Sequence, residues 1–261
     1  MVAAAATNAL HLAGKKPEEI RVVGMGAGAA GIACHTMLRK MGVPADNIVL
    51  FDKDGVLHPG RTDLCPEQMD FARADASTTL QQALKGADLF LGLSGPGLLP
   101  AALVSEMAEN PIIFALANPI PEIMPEEARA ASSGAMIATG RSDFPNQVNN
   151  VLCFPFIFRG ALDVASTDIN DAMKLACVDA IASLARATTS AEVGEAYRGE
   201  MLNFGPEYLI PKPFDPRLLP TIAVAVAKAA MESGVAQKQI DLDAYQQSLE
   251  AQIFRSSLVM R

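Results

Sequence analysis

The sequence predicts an α/β protein with a doubly wound, mostly parallel sheet and a helical C-terminal extension. From Ile20 onward, short apolar runs alternate with longer amphipathic stretches, which is typical of parallel strands joined by helices. The last part of the chain instead carries long apolar stretches at helical spacing. Half of the 261 residues are hydrophobic, which supplies a buried core and excludes a disordered chain.

Apolar runs predict the strands, and the amphipathic stretches between them predict helices. The strands are expected at Ile20–Gly24, Ile48–Phe51, Phe71–Ala74, Leu89–Leu93, Ile112–Leu116 and Met136–Ala138. The helices are expected at Ala30–Met41, Leu80–Lys85, Leu99–Ala108 and Pro125–Ala131. In this interpretation residues 1–18 form a leading helix, residues 19–165 form the core, and residues 166–261 form the helical extension of the same domain.

Two helices are predicted in the extension. Thr167 is a suitable N-cap for the first, whose apolar side chains recur at three- and four-residue spacing. Pro220 and Gly234 bracket the second, in keeping with the usual placement of proline first and glycine last. The polar residues Thr188–Met201 between the two helices predict a surface connection.

Charge and cysteine content exclude several classes of protein. The chain has 21 Lys and Arg against 29 Asp and Glu, a net charge of −8 without a basic stripe, which argues against binding of nucleic acid. No apolar run reaches the roughly 18–20 residues that span a bilayer, so no membrane contact is expected. The cysteines share no metal-ligand spacing and predict reduced thiols in a cytoplasmic protein. The histidines lack an acidic or cysteine partner at ligand spacing, so helix surfaces or loops are expected for them.

A glycine-rich turn follows the first predicted strand and opens the first helix of the core. It has the spacing Gly26-x-Gly28-x-x-Gly31, with Ala27, Ala29 and Ala30 between the glycines. Gly26 permits the tight turn, Gly28 lets the backbone approach a pyrophosphate, and Gly31 lets the helix pack on the strand. The helix N-terminus offers N–H groups to the anion. A glycine-rich bend without a ligand is the alternative, but the flanking strand and helix favour a Rossmann-type dinucleotide site.

An acidic residue stands at the end of the second predicted strand, 21 positions after Gly31. Asp52 there would accept hydrogen bonds from a ribose diol, which favours NAD. Lys53 follows it and Arg61 lies in the same loop, and a cation at this place would instead hold the 2′-phosphate of NADP. A rival interpretation is a phosphatase, because Phe51–Leu57 resembles the first motif of haloacid-dehalogenase-type enzymes. That interpretation is disfavoured because no acidic pair follows a later strand to bind Mg²⁺.

Small and polar residues follow the later strands of the core. Ligands in open parallel sheets bind at the carboxyl ends of the strands, so Ser94 and Gly95 are expected to let nicotinamide or its ribose pass close to the backbone. Asn118 is expected at the same crevice, or else serves only as a turn former before proline. A polar loop after the sixth strand ends in Asn149 and Asn150. These two either cap the next segment or bind a hydroxy acid through their amides.

Several segments, in this order, resemble the cofactor-binding half of bacterial malic enzymes: GAGAAG, SGPG, ANPIPEI, TGRSDFPNQVNN and FPFIFRGALDV. A later segment, FGPEYLIPKPFDPR, is most similar to the long bacterial type that continues into a phosphate-acetyltransferase-like domain. The resemblance runs from about Val2 to the C-terminus. It implies oxidative decarboxylation of malate to pyruvate and CO2, an oxidoreductase reaction with hydride transfer to NADP, and with NAD as the alternative cofactor.

The resemblance also implies roles for residues and a larger parent protein. By position it assigns cofactor binding to Gly26, Gly28, Gly31 and Asp52, and substrate binding to Asn118 and Asn150. The family's catalytic tyrosine and lysine, and the carboxylates that bind Mg²⁺ or Mn²⁺, belong to a preceding domain, so this chain is expected to be inactive alone. A homo-oligomer is implied as well. The competing hypothesis is a non-catalytic nucleotide-sensing module, which has no need of substrate amides.

Overall fold

A computed structural model of the chain describes residues 1–188 and 202–259, with side chains through residue 255. The chain divides into two compact units, Val2–Val148 and Asn149–Arg261. The sequence instead places the end of the core at residue 165. Among the described helices, none has the length and apolar content needed to cross a membrane.

The first unit is built on one sheet. Its strands are β1 (Val22–Met25), β2 (Ile48–Asp52), β3 (Gly55–Val56), β4 (Leu89–Gly92), β5 (Ile112–Ala115) and β6 (Met136–Thr139). The strand order is β3-β2-β1-β4-β5-β6, and every pairing except the antiparallel one between β2 and β3 is parallel. This order confirms the predicted doubly wound sheet, whose chain direction along the sheet reverses between β1 and β4.

The register of the sheet aligns the carboxyl ends of its strands. Met25 pairs with both Phe51 and Gly92, and the same row continues through Ala115 to Thr139. The residues that follow these strands therefore share one edge of the sheet. Ligands bind at that edge in open parallel sheets.

Helices cover both faces of the sheet, as its fully buried strands require. They are α1 (Val2–Ala13), α2 (Ala29–Lys40), α3 (Pro66–Met69), α4 (Leu80–Leu84), α5 (Ala101–Val104) and α6 (Pro125–Ala131). The apolar α1 is the predicted leading helix, and it packs against α2 and β5. Phe90 and Phe114 are among the largest fully buried side chains of the core.

Two predictions in the first unit are wrong. Phe71–Ala74 is not a strand, because Phe71 is a single buried ring at a turn and Arg73 bonds back to the backbone at Leu57. The strand beside β2 is instead the two-residue β3. The predicted helix Leu99–Ala108 is also too long, since only Ala101–Val104 is α-helical.

The second unit is helical, as predicted. Among its described residues, the α-helices are α7 (Phe154–Asp163), α8 (Asp171–Arg186), α9 (Leu218–Glu232) and α10 (Leu242–Val259). α9 packs against the other three. At its crossing with α7, a Cβ on Gly160 would overlap the carbonyl oxygen of Ala223, so a glycine is needed for this close approach.

The ends of these helices differ from the prediction. Asn170, not Thr167, caps α8, because its side-chain oxygen accepts a hydrogen bond from the Met173 N–H at 3.1 Å. The Thr167 hydroxyl instead bonds to the carbonyl of Val235 at 3.3 Å. The second predicted helix begins at Leu218, before Pro220. The predicted connection over Thr188–Met201 lies, from residue 189 onward, outside the described residues.

Candidate functional site

The glycine turn joins the ends of three neighbouring strands. Gly26 has φ +112°, a conformation that favours glycine. Its N–H donates to the carbonyl of Phe51 at 2.8 Å, and a Cβ on it would lie 2.5 Å from the carbonyl oxygen of Leu93. A glycine is therefore required where the chain leaves β1 between β2 and β4. A Cβ on Gly31 would overlap the carbonyl oxygen of Gly26, which explains the need for glycine in the first turn of α2.

Gly28 presents a different environment. It is the N-cap of α2, has no side chain to cap the helix, and has ordinary extended dihedral angles. A Cβ there would meet no protein atom within 4 Å. Helix geometry leaves the N–H groups of the first turn without intrahelical acceptors, and the helix dipole makes this end positive. The space in front of Gly28 thus fits an anionic group such as a pyrophosphate.

A buried histidine, His35, packs against the glycine turn and bonds to it. The Nδ1 of His35 bonds to the carbonyl oxygen of Gly31 at 2.7 Å, so the proton of the neutral ring is assigned to Nδ1. Burial lowers the pKa of His35 to about 4, although the bond to Gly31 opposes that shift. A Cβ on Gly24 would overlap the His35 ring. The expectation of a surface or loop position for the histidines is therefore wrong for His35, because its ring packs under the loop.

Asp52 ends β2 and is held by an arginine from the following loop. Arg61 donates to both carboxylate oxygens of Asp52, each at 2.7 Å. The same guanidinium donates twice to Asp63, at 3.1 and 2.6 Å. Burial tends to raise the pKa of Asp52, but the hydrogen bonds from Arg61 outweigh it, and this pKa lies below its usual range. Arg61 also lowers the pKa of Asp63 to about 2.

Lys53 lies near this pair but forms its own ion pair with Asp54. Its side chain is 85% exposed, and its ammonium group contacts Asp54 at 2.5 Å. Of the two candidate cations, Arg61 forms the ion pair with Asp52 and Lys53 does not. Asp52, Asp54 and Asp63 have carboxylate oxygens within 4.8 Å of one another, but the guanidinium of Arg61 is within 4 Å of all three. This cluster does not fit a metal ion, because Arg61 already donates hydrogen bonds to both oxygens of two of its three carboxylates.

The segments after β4 and β5 are joined by Glu122, a residue that was not predicted from the sequence as a candidate. Glu122 is fully buried, with 0% of its surface exposed. Its Oε1 accepts from the Ser94 N–H at 2.9 Å and its Oε2 from the Ala117 N–H at 3.1 Å. Gly92 makes room for it, since a Cβ there would overlap the carboxyl group. No spacing rule marks such a glutamate; the only signal is an acidic residue in an otherwise apolar segment after a strand.

The remaining predicted residues fall in two places. Exposed Ser94 and half-buried Gly95 follow β4, and exposed Asn118 follows β5, so they lie at the same edge of the sheet as the glycine turn. Asn150 belongs to the second unit, where it is exposed and begins a short 3-10 helix, Asn150–Leu152. Asn149 caps that helix, accepting from the Val151 N–H at 3.1 Å, which confirms the capping interpretation for Asn149.

Four features together define a dinucleotide-binding domain of the Rossmann class. They are the strand order of the sheet, the glycine turn, the open N-terminus of α2 and the acidic residue at the end of β2. Comparison with known proteins narrows this class to one family. The family model "Malic enzyme, NAD binding domain" matches residues 1–197, and the chain belongs to that family.

Individual relatives agree with this assignment. Over 263 residues the chain is 54% identical to the NAD-dependent malic enzyme of Rhizobium meliloti (strain 1021), covering 100% of this chain and 34% of the relative. Over 261 residues it is 52% identical to the NADP-dependent malic enzyme of Escherichia coli (strain K12), covering 99% and 34%. The crystal structure of Entamoeba histolytica malic enzyme matches with a TM-score of 0.86 and 34% identity, over 99% of this chain and 53% of that one.

These comparisons establish the family to which the chain belongs. The chain is the NAD(P)-binding domain of an oxidoreductase of the malic enzyme family, and it spans about a third of the length of the curated relatives it matches. Relatives of similar identity are named for different cofactors, one for NAD and another for NADP. The phosphatase interpretation of Asp52 is left without support, because the family and the neighbouring glycine turn both indicate dinucleotide binding.

Proposed function

We propose that this domain serves a malic enzyme that oxidises malate by hydride transfer to a nicotinamide dinucleotide and releases pyruvate and CO2. The open space in front of Gly28 carries the proposal, because it lies beside backbone N–H groups that suit a pyrophosphate. In this proposal the pyrophosphate lies against the backbone of Gly26, Ala27, Gly28, Ala29, Ala30 and Gly31. The adenosine ribose lies near Asp52 and Lys53, and the nicotinamide end near Ser94, Gly95 and Asn118.

Substitution of Gly28 tests the pyrophosphate site. Gly28→Val is expected to leave the fold intact, since its Cβ meets no protein atom within 4 Å, and to weaken dinucleotide binding about a hundredfold or more by filling the phosphate space. The measurement is calorimetric titration with NAD+ and NADP+. Gly205→Val is a matched control, because a Cβ on Gly205 has no neighbour closer than 3.9 Å and lies in the second unit. An unchanged affinity of Gly28→Val for dinucleotide would contradict a pyrophosphate site at Gly28.

We further propose NADP+ as the preferred cofactor. Arg61 already neutralises Asp52, so the carboxylate would repel a 2′-phosphate less than an unpaired acid. Lys53 is exposed beside it and is free to move from Asp54 toward a phosphate. One observation favours NAD+, the second candidate. Arg61 already donates four hydrogen bonds to Asp52 and Asp63, so few of its N–H groups remain to bind a phosphate.

Titration of Lys53→Ala distinguishes the two cofactors. With NADP+ preferred, the variant loses about three- to tenfold in affinity for NADP+ and keeps its affinity for NAD+, as expected for one exposed phosphate contact. Lys16→Ala is the control, since Lys16 is a similarly exposed lysine in the first unit. Tighter binding of NAD+ by the unchanged chain, together with no effect of Lys53→Ala, would overturn the NADP+ assignment.

The proposed function also includes binding of the substrate and of a divalent metal ion. The amides of Asn118 and Asn150 would bind malate or pyruvate, by donating to a carboxylate and accepting from a hydroxyl. A divalent Mg²⁺ or Mn²⁺ ion would supply Lewis-acid chemistry for loss of CO2, held with the acid–base groups by parts of the enzyme beyond these 261 residues. The isolated chain is then expected to bind dinucleotide without oxidising malate. Turnover by the isolated chain with malate and Mn²⁺ would contradict this.

We also propose a homo-oligomer in the cytoplasm. On α7, Phe154, Phe158 and Leu162 recur every four residues and are all exposed, which supports an apolar contact face. The free cysteines support a reducing compartment. Sedimentation velocity of the chain and of Phe158→Ser tests the oligomer: the variant is expected to shift toward monomer. The nucleotide-sensing module stays the alternative, and dinucleotide binding by the full-length protein without any oxidation of malate would favour it.

A further inference from the structure

The buried acid between the ends of β4 and β5 offers more than a structural tie. Both oxygens of Glu122 accept backbone N–H groups, as described above. Its own backbone adds a further bond between the same segments, since its carbonyl accepts from the Leu99 N–H at 3.0 Å. Side chain and main chain of one residue therefore hold the loop after β4 against the loop after β5.

This carboxylate lies close to the point where the sheet reverses direction. Ser94, which it binds, neighbours the glycine turn: a Cβ on Gly26 would lie 3.3 Å from the Ser94 Cβ. Ligands of open parallel sheets bind at that point. In the proposed function the nicotinamide end of the cofactor lies here, beside Ser94, Gly95 and Asn118.

Within the described parts of the chain, no lysine, arginine or histidine balances the charge of Glu122 by forming an ion pair with it. Burial raises its pKa, and the N–H bonds from Ser94 and Ala117 oppose that shift and favour the ionised form. A buried carboxylate without a counter-ion is costly, and a positive ligand group nearby reduces that cost.

We propose that Glu122 is a positioning residue which makes the nicotinamide end of this site prefer the oxidised cofactor over the reduced one. The inference rests on the proposed function. An oxidised nicotinamide ring carries a positive charge and a reduced ring is neutral, so only the oxidised form is attracted by the carboxylate. The attraction is stronger than between two groups in water, because the carboxylate itself is buried. Glu122 acts without touching the reacting atoms, by its charge and by the N–H groups that it orients.

The test compares affinities for the two redox states of one cofactor. The unchanged chain is titrated with NADP+ and NADPH, and with NAD+ and NADH, using calorimetry for both states and cofactor fluorescence for the reduced one. We expect the unchanged chain to bind the oxidised form more tightly. Glu122→Gln keeps the size of the side chain but removes its charge, so the ratio of oxidised to reduced affinity is expected to fall about tenfold.

Two further variants separate charge from structure. Glu122→Asp keeps the charge and is expected to retain most of the preference. Glu126→Gln removes an exposed charge in the first turn of α6 and is expected to change nothing.

Each outcome decides one point. Equal weakening of both redox states in Glu122→Gln would mean that the residue is only structural. If Glu122→Gln does not fold, the affinities of the unchanged chain for the two redox states still test the inference. Equal or tighter binding of the reduced cofactor would overturn it. A chain that binds neither state contradicts the proposed function itself and is thereby distinguished from failure of this inference.

Discussion

Acidification should destabilise the first unit through His35, whose ring is buried beneath the glycine turn. The pKa of His35 is lowered from 6.5 to about 4 by burial. The unfolded chain therefore takes up this proton first as the pH falls, so stability is fully present above about pH 6.5 and is lost toward about pH 4. Between about pH 8 and about pH 5, linkage with these two pKa values removes about 2 kcal/mol of unfolding free energy.

Urea unfolding of the chain at these two pH values, followed by circular dichroism, measures the loss. His35→Gln has no titrating ring at this position, so its unfolding free energy is expected to fall less over the same interval, by about 2 kcal/mol. Carboxylates that titrate in acid are the same in both proteins and cancel in the difference. Proton NMR gives the folded pKa directly, with the variant assigning the resonance. A His35 ring that titrates near its ordinary value, or equal acid sensitivity of both proteins, would refute the reasoning.

Three substitutions or reactions test other close contacts. Gly31→Ala is expected to disrupt the glycine turn and abolish dinucleotide binding by calorimetry, because its Cβ overlaps a carbonyl oxygen of the turn. Gly160→Ala should lower the thermal stability of the second unit by about 1–3 kcal/mol, as its Cβ overlaps the backbone of Ala223; an unchanged melting curve would contradict this. The Cys177 thiol lies 3.4 Å from the Cys153 sulfur, and its hydrogen bond lowers the pKa of Cys153. Mass spectrometry after brief alkylation near neutral pH should find Cys153 modified before Cys177, and Cys177→Ala should slow that reaction.

The sequence predicted those parts of the fold and site that local pattern determines. Four of the five parallel strands, β1, β4, β5 and β6, were located because their apolar runs are buried on both faces and bounded by turn residues. The turn at Gly26 and Gly31 was interpreted correctly in its structure, because each of these glycines avoids a specific backbone overlap. The binding roles given to the same residues stay predictions.

Contacts between distant segments were beyond reach of the sequence. β3 forms because the chain turns sharply after Asp52 and is held there by Arg61, nine residues further on, and two residues of strand leave no periodic pattern. Glu122 was overlooked because burial of a glutamate depends on N–H donors from two separate loops. His35 was expected at a surface or in a loop because one ring on a helix gives no sign of which neighbours cover it.

One edge of the sheet is short and the other is partly covered by the chain itself. At one edge, β3 is only two residues long and continues into the acidic loop around Arg61. At the other, the loop after β6 folds back on it: Gln147 bridges to Thr139, and the Val148 N–H donates to the Thr139 carbonyl at 2.8 Å. Long unpaired strand edges are the templates on which proteins aggregate into fibrils. Each edge of this sheet therefore offers only a short stretch of backbone on which a strand of a second molecule could pair.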